Sequence, residues 1–343
     1  MKKRLIYIDL IKIFAMLGPI FIHITAQVFY DCSVYSNRFF ALSMFNSLGR
    51  CGVNLFVMCT GALLLGNKNL TKEKIFSKYI PRFLLSLIIF NFIYSLVYNN
   101  FDFAFTFANW YKKINSAHLW YLVMIIVIYM VIPILNVFVN NAKRDDLKYF
   151  LILAFVFQSV LYFVQNVEFL SWIKAYYKYV NLPVVSGFAG YLILGYYLNK
   201  YRISNKTKIT TILIGMISLA ILIFGNIIYS RYIREADTFF SHNLMPFVVL
   251  YSLAMFIIIK GLYFKLKDRF DSKQSIIIEI SNCTFGIYLI HMFILKGLNY
   301  YNFTALNYNA FIFIPIASLI VYIVSMLGVM MLKKIPILKE FVT

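Results

Sequence analysis

The sequence predicts an all-α, polytopic integral membrane protein of about ten transmembrane helices. Three observations predict it. The 343 residues are 62% hydrophobic and only 13% charged, with a mean hydropathy of +0.78, whereas soluble domains run at about 45–50% apolar and about 25% charged. Ten apolar runs are cut apart by charged or polar clusters. The basic residues are distributed asymmetrically between the intervening segments. One transmembrane domain over residues 1–343 is expected, with no soluble domain and no internal repeat.

The runs place helices near 5–29, 46–66, 83–99, 118–140, 147–165, 183–198, 209–229, 243–262, 276–298 and 310–332. A span needs about 20 residues, so 183–198 is short and must extend or lie in a thinned site. An even number of spans puts both termini on one side. With the N-terminus inside, the inner segments and adjoining span ends hold 23 Lys and Arg and the outer ones 8, while Lys12 and Arg50 are counted with neither side. That split predicts N-in and C-in. It also refutes the nucleic-acid partner that the formal charge of +20 would otherwise suggest. Lys2, Lys3 and Arg4 before an apolar run imitate a signal peptide. Asp9 and Lys12 interrupt that run, and no small-x-small cleavage site follows, so an uncleaved first helix is expected. The long segments 30–45, 99–117, 166–182 and 230–242 face out and are rich in Tyr, Phe, Asn and Trp. Such loops suit sugar stacking, and an interfacial aromatic belt explains them as well. Four cysteines, Cys32, Cys51, Cys59 and Cys283, show no metal-ligand spacing.

The first helix carries three ionisable groups, Asp9, Lys12 and His23. Each charge at a helix centre costs roughly 2.5–3.5 kcal/mol on insertion scales. Lys12 and His23 are eleven residues apart. That is about three turns plus about 20°, so they share a face roughly 16 Å apart along the axis. Asp9, three residues before Lys12, is placed to pair with it. The stripe reads as one wall of an interior cavity. The alternative has Asp9 and Lys12 snorkelling to the headgroups and His23 bonding a neighbouring helix.

Topology then assigns depth. His23 falls in the outer half of its helix. Arg50 begins the second helix from outside, in Gly49-Arg50-Cys51-Gly52-Val53-Asn54. His118-Leu119-Trp120-Tyr121 opens the fourth. The ninth runs outward through Ser281-Asn282-Cys283-Thr284-Phe285-Gly286-Ile287-Tyr288, which puts His291 in its outer half. Three of the four histidines and Arg50 thus share an outer depth. Asp9, Lys12 and Glu279 lie in the inner half. Taken singly, Arg50 could snorkel, His118 could be interfacial, His291 could bridge helices and Tyr288 could be packing. Glu279 could simply begin its helix, and His242 reads as solvated. Unpaired polar groups are costly in lipid, which gives the joint pattern its weight.

No GxSxG elbow, Walker loop or HExxH is present, and the carboxylates are too scattered for a glycosidase pair. What remains is histidine for proton transfer and a cation for a developing oxyanion, which suits acyl transfer to a hydroxyl. A transporter or flippase of a lipid-linked saccharide is the rival class, since it too needs a polar interior.

Four motifs carry a resemblance: Asp9-x-x-Lys12 with His23 after ten intervening residues; Arg50-x-x-Val53-Asn54 running to Gly61; His118-Leu119-Trp120; and Ser281 through Phe285, Gly286 and Tyr288 to His291. In order and spacing they resemble the membrane acyltransferase family 3 over nearly the whole chain, in particular its short stand-alone O-acetyltransferases without a fused SGNH domain. The resemblance implies ten helices, cytosolic acyl-CoA as donor and an extracytoplasmic glycan hydroxyl as acceptor. It gives Lys12 and His23 the family's basic-x10-His signature. The basic position is more often arginine in the family. The paired arginines that many members carry after the second helix have only Lys78 and Arg82 as loose counterparts here.

The expected protein is therefore an acetyl-CoA-dependent O-acetyltransferase of the bacterial inner membrane, modifying a cell-envelope polysaccharide or lipid-linked saccharide. His23, Arg50 and Tyr288 are the expected catalytic residues, with His23 as general base. Asp9 and Lys12 are expected at the donor, with Asp9 orienting Lys12. His118, Trp120, His291 and Asn54 are expected at the acceptor. No metal and no bound cofactor is expected; acetyl-CoA is a co-substrate. An acyl-histidine relay is equally allowed, and membrane lipid and a homo-oligomer are allowed as partners.

Overall fold

Ten apolar runs with no strand pattern leave only helices to satisfy the backbone in lipid, and the fold obeys. The computed structural model describes residues 4–167, 170, 172–174 and 187–335. Among them there is no strand, and nine helical segments are long and apolar enough to cross a membrane. The chain runs through α1 (Ile6–Ala26), α2 (Asn37–Gly49), α3 (Cys51–Leu64), α4 (Lys72–Tyr98), α5 (Trp120–Asn141), α6 (Arg144–Val164), α7 (Ala189–Lys200), α8 (Asn205–Ile233), α9 (Pro246–Lys265), α10 (Gln274–Tyr300) and α11 (Ala310–Leu332).

Helix starts reflect local chemistry. Ser36, Thr71 and Ser204 accept hydrogen bonds from the backbone N–H three residues on, and Asn309 from the N–H of Phe311. Each satisfies a donor that the first turn leaves open. Pro246 occupies the first position of α9, where no N–H is needed.

Four differences from the sequence reading stand out. The second span begins at Asn37, nine residues before the expected 46, because Ser36 caps a helix there. Arg50 therefore sits at the joint of α2 and α3, inside a continuous 28-residue helical run, Asn37–Leu64, and not at its outer mouth. The segment 99–117 is not simple loop: Asp102 caps a short helix, Phe103–Asn109. The short sixth run is helical over Ala189–Lys200, while positions 183–186 lie outside the described residues, as does most of the segment 166–182.

α1 is the central post. It packs against α2, α3, α9, α10 and α11. Close approach to α2 and α3 depends on missing side chains: a Cβ on Gly52 of α3 would sit 2.5 Å from the Ala15 carbonyl oxygen, and one on Gly18 equally close to that of Gly49, at the end of α2. Pro19 lies beside this contact and interrupts the α1 hydrogen-bond ladder. A second small-residue crossing joins α3 to α7, where Gly61 and Gly195 each face the other helix's backbone. The outward faces stay apolar; Leu213, Ile217 and Ile228 of α8 are all exposed.

Both described chain ends meet α10 at neighbouring residues. The Arg4 guanidinium donates to Asn282 Oδ1 at 2.9 Å, and Lys333 Nζ to Cys283 Sγ at 3.1 Å. Residues 4 and 333 therefore share one end of the bundle, its terminal end.

Candidate active site

Pro19 and the glycine seam hold α1 close against α3, and the α1 polar stripe runs beside that seam, where Lys12 and Pro19 line one cavity with Val53, Phe56 and Thr60 of α3. His23 is half-buried on the stripe. His118, from the 3-10 turn before α5, and His291, from α10, are 1% and 0% exposed. The three rings meet. Their centroids are 6.1 Å apart for His23 and His118, 5.4 Å for His23 and His291, and 5.1 Å for His118 and His291. Three residues separated by nearly the length of the chain thus form one imidazole cluster.

Hydrogen bonds fix two of the rings. His291 Nδ1 lies 2.7 Å from the Tyr288 carbonyl and 3.2 Å from that of Ile287. A carbonyl only accepts, so Nδ1 carries the proton and Nε2 keeps its lone pair. His118 Nδ1 lies 2.9 Å from Ser116 Oγ, a partner that can donate or accept. Nε2 of both His118 and His291 is buried without a hydrogen-bond partner among the described residues. Buried nitrogens of that kind are uncommon and mark places where chemistry or binding is expected. His23 makes no side-chain hydrogen bond among the described residues, so its tautomer is free.

Aromatic residues wall the cluster. Tyr94 stacks on Phe293 at 4.0 Å, donates its hydroxyl to the Leu289 carbonyl at 2.8 Å and sets its ring 5.0 Å from His118. The Tyr288 ring lies 5.2 Å from His118 and 6.1 Å from His291, and its hydroxyl donates to the His118 carbonyl oxygen. That proton is committed, so Tyr288 holds the His118 turn in this arrangement.

Tyr288 also lines a cavity of about 190 Å³ that runs toward the terminal end, between α1, α3, α4, α5 and α10. Lys12 and Arg82 are its two cations; Thr60, Tyr121, Ser281 and Asn282 add polar atoms. Lys12 is half-buried and has neither ion pair nor hydrogen bond among the described residues. Arg82 lies 5.1 Å over the Phe285 ring, and its Nε is buried without a partner. The stripe on α1 thus joins a cationic cavity to an imidazole cluster.

The expected Asp9–Lys12 pair does not form. Asp9 is 3% exposed. It accepts two bonds from Arg4, at 2.8 and 2.9 Å, and one from Ser281 at 2.6 Å. The planar guanidinium fork grips both carboxylate oxygens where a lysine offers one point charge. Asp9 is therefore a latch between the start of α1 and α10, and Lys12 is left free to face the cavity.

Other predicted residues go elsewhere. Arg50 donates twice to Asn46 Oδ1, at 2.9 and 2.6 Å, and Asn46 in turn donates to Thr25. It lines a separate polar pocket of about 320 Å³ at the far end, with Tyr162, Asp237 and His242. His242 is exposed and stacks on Tyr162 at 4.7 Å. Asn54 bonds Ser252 Oγ at 3.1 Å and tethers α3 to α9. Trp120 is 38% exposed, against Phe188 and away from the cluster. Glu279 is exposed.

Sequence reasoning underrated Arg82 and missed Tyr94, Tyr121 and Ser116. Arg82 stood four residues after Lys78 at the head of an apolar run, a signal for a span entering from a basic loop. The tyrosines are among 27 in the chain, and nothing local separates them from packing.

No curated protein and no solved structure matches the chain. A family model described as an acyltransferase domain matches residues 5–333. The match runs from the start of α1 to the end of α11 and so takes in every side chain of the cluster and the cavity. The chain belongs to the membrane acyltransferase family 3, and it is a membrane acyltransferase.

Proposed function

We propose that this protein moves an acetyl group from cytosolic acetyl-CoA to a hydroxyl of a bacterial cell-envelope glycan, a polysaccharide or lipid-linked saccharide reached from outside the inner membrane. One observation carries the reading: Tyr288 belongs both to the cavity of Lys12 and Arg82 and to the wall of the histidine cluster. A donor entering from one end and an acceptor from the other would meet there. The basic-residue asymmetry supports a cytosolic terminal end.

The donor's phosphates are attracted by Lys12 and Arg82, and its thioester arm runs along the cavity to Tyr288. His23, held by α1 and free of hydrogen bonds, takes the proton of the acceptor hydroxyl as that oxygen attacks the thioester carbonyl carbon. A new C–O bond forms and negative charge collects on the carbonyl oxygen. If Ser116 donates to His118 Nδ1, His118 carries its proton on Nε2 and can donate to that oxyanion. The intermediate collapses, the C–S bond breaks, and the CoA thiolate takes up the acceptor's proton from the His23 imidazolium. His291, with its lone pair on Nε2, neighbours His23 and offers a second proton acceptor. The acceptor glycan approaches through the far-end pocket of Arg50, Tyr162 and His242, whose stacked rings suit a sugar face.

The test is direct. Purified protein is incubated with acetyl-CoA and envelope glycan, and free CoA thiol and glycan acetyl esters are measured together. Stoichiometric appearance of both is expected. A purified, folded protein that releases no CoA with any envelope fraction would refute the assignment.

A further inference from the structure

A second cation-lined space lies on the other side of the bundle and shares no lining residue with the cavity of Lys12. At the terminal end of α7, α8 and α9 there is a cavity of about 690 Å³. Among the described residues, four cations line it, Lys200, Arg202, Lys208 and Lys260, and no carboxylate does. Only two ion pairs form among the described residues, and neither involves these four. Lys260 rises from an otherwise apolar stretch of α9. It does not snorkel: its Nζ donates to the Leu198 carbonyl at 2.5 Å and sits 5.1 Å over the Tyr7 ring, so one N–H is used and two remain. Among the described residues, Arg202 uses only its backbone carbonyl, which accepts from Arg144 at 3.2 Å. Topogenic lysines in a loop need none of this placement.

The basic cavity continues through a mixed pocket into an apolar one. A middle pocket of about 380 Å³, where Arg144, Lys148, Thr207 and Thr211 stand beside apolar side chains, shares Leu198, Ile203 and Ile257 with it. That pocket in turn shares Leu151, Leu194 and Leu253 with an almost wholly apolar pocket of about 270 Å³ that reaches Leu250. The apolar pocket runs on to Val249 and Leu244; from Val249 to Lys260 is eleven residues of α9, about 17 Å. One leaflet of hydrocarbon is half of roughly 30 Å. A cationic cup at headgroup depth that grades into an apolar groove at least one leaflet long fits one kind of ligand. We infer that this groove binds an acidic phospholipid, with its phosphodiester among Arg202, Lys208 and Lys260 and its acyl chains against α6, α7 and α9. Lipid binding there is independent of acyl transfer. A nucleotide phosphate would suit the cup but has no use for the groove.

The test uses the full-length protein in mild detergent and native mass spectrometry. Phosphatidylglycerol and phosphatidylcholine of identical chains are titrated against the parent, Arg202→Gln/Lys208→Gln and Arg202→Lys/Lys208→Arg. The parent should retain phosphatidylglycerol more strongly. The charge-removing variant should lose roughly fivefold in selectivity for each cation, which is what about 1 kcal/mol per basic residue converts to. The charge-keeping variant should behave as the parent. Should the glutamine variant not fold, raised salt on the parent alone should collapse the preference. Equal retention of both lipids by the parent overturns the inference, as does selectivity that ignores the two substitutions. Binding of 3′,5′-ADP that the glutamine variant loses, with lipid retention unchanged, also overturns it.

Discussion

Lys12→Ala separates a donor contact from a structural cation. The structure makes the substitution unusually clean. Lys12 has no carboxylate and no hydrogen-bond acceptor of its own among the described residues, because Arg4 and Ser281 hold Asp9. Removing the ammonium therefore strands no partner, and the usual cost of leaving a buried charge uncompensated does not arise. Thermal stability in detergent should move by less than about 1 kcal/mol. Donor binding should suffer instead. A half-buried, charge-assisted contact to phosphate is worth about 1.5–3 kcal/mol, so Kd for acetyl-CoA should rise roughly tenfold to a hundredfold. Lys12→Arg should keep most of the affinity, since the fork replaces the point charge. Arg82→Ala should weaken binding over a similar range. If both cations contact one phosphate group, the double variant should depart from additivity. Isothermal titration of acetyl-CoA into purified protein measures all four. Lys12→Ala binding acetyl-CoA as tightly as the parent would refute the donor assignment and leave Lys12 a passive lining residue.

Three further outcomes are expected. His23→Ala should lose at least 10²-fold in glycan acetylation while keeping the parent's helical circular dichroism and acetyl-CoA affinity; turnover near the parent's would remove His23 as the base. Arg4→Gln should lower thermal stability by about 1–3 kcal/mol through the stranded Asp9 carboxylate, and Arg4→Gln/Asp9→Asn should be more stable than Arg4→Gln; the reverse order in a thermal melt would mean Asp9 is not charged in the fold. A cysteine placed in the 234–245 segment of a cysteine-free background should react with an impermeant maleimide in whole cells, and one at 201–204 should not; the opposite pattern would invert the bundle and its substrate sides.

Much of this was legible because lipid removes choices. A chain with ten apolar runs must be helical, and its rare polar side chains must turn inward, so His23, His118 and His291 could be assigned one depth before any contact was known. Register within a helix was legible too: eleven residues put Lys12 and His23 on one face. Lateral neighbours were not legible. Asp9 lies three residues from Lys12 and five from Arg4, and spacing favours the former, yet the guanidinium fork and Ser281 from α10 decide the pairing. Asn54 carries the family motif but is spent on Ser252, a residue nearly 200 positions away. Arg50 reads as a helix opener because the apolar run begins near it; Ser36, a single capping hydroxyl, moves the start outward and leaves Arg50 at an interior joint.

The three imidazoles are not equivalent, and their differences bear on whether the acyl group passes through the enzyme. His291 is pinned by two backbone carbonyls, which fix its proton on Nδ1. His118 is held by Ser116 at one nitrogen, and its turn by the Tyr288 hydroxyl. His23 alone is free to present either nitrogen, and it stands on the helix whose opposite half carries Lys12. A general base must receive a proton and return it to the CoA thiolate, so a ring unconstrained at both nitrogens fits that role. An acyl-imidazole relay asks for a fixed nucleophile with a standing lone pair, which describes His291 Nε2. Rapid mixing with acetyl-CoA in the absence of acceptor distinguishes the routes. Direct transfer predicts no burst of CoA thiol. A burst approaching one equivalent that survives in His23→Ala and vanishes in His291→Ala would move the acyl group onto His291 and make His23 the base of the second half-reaction.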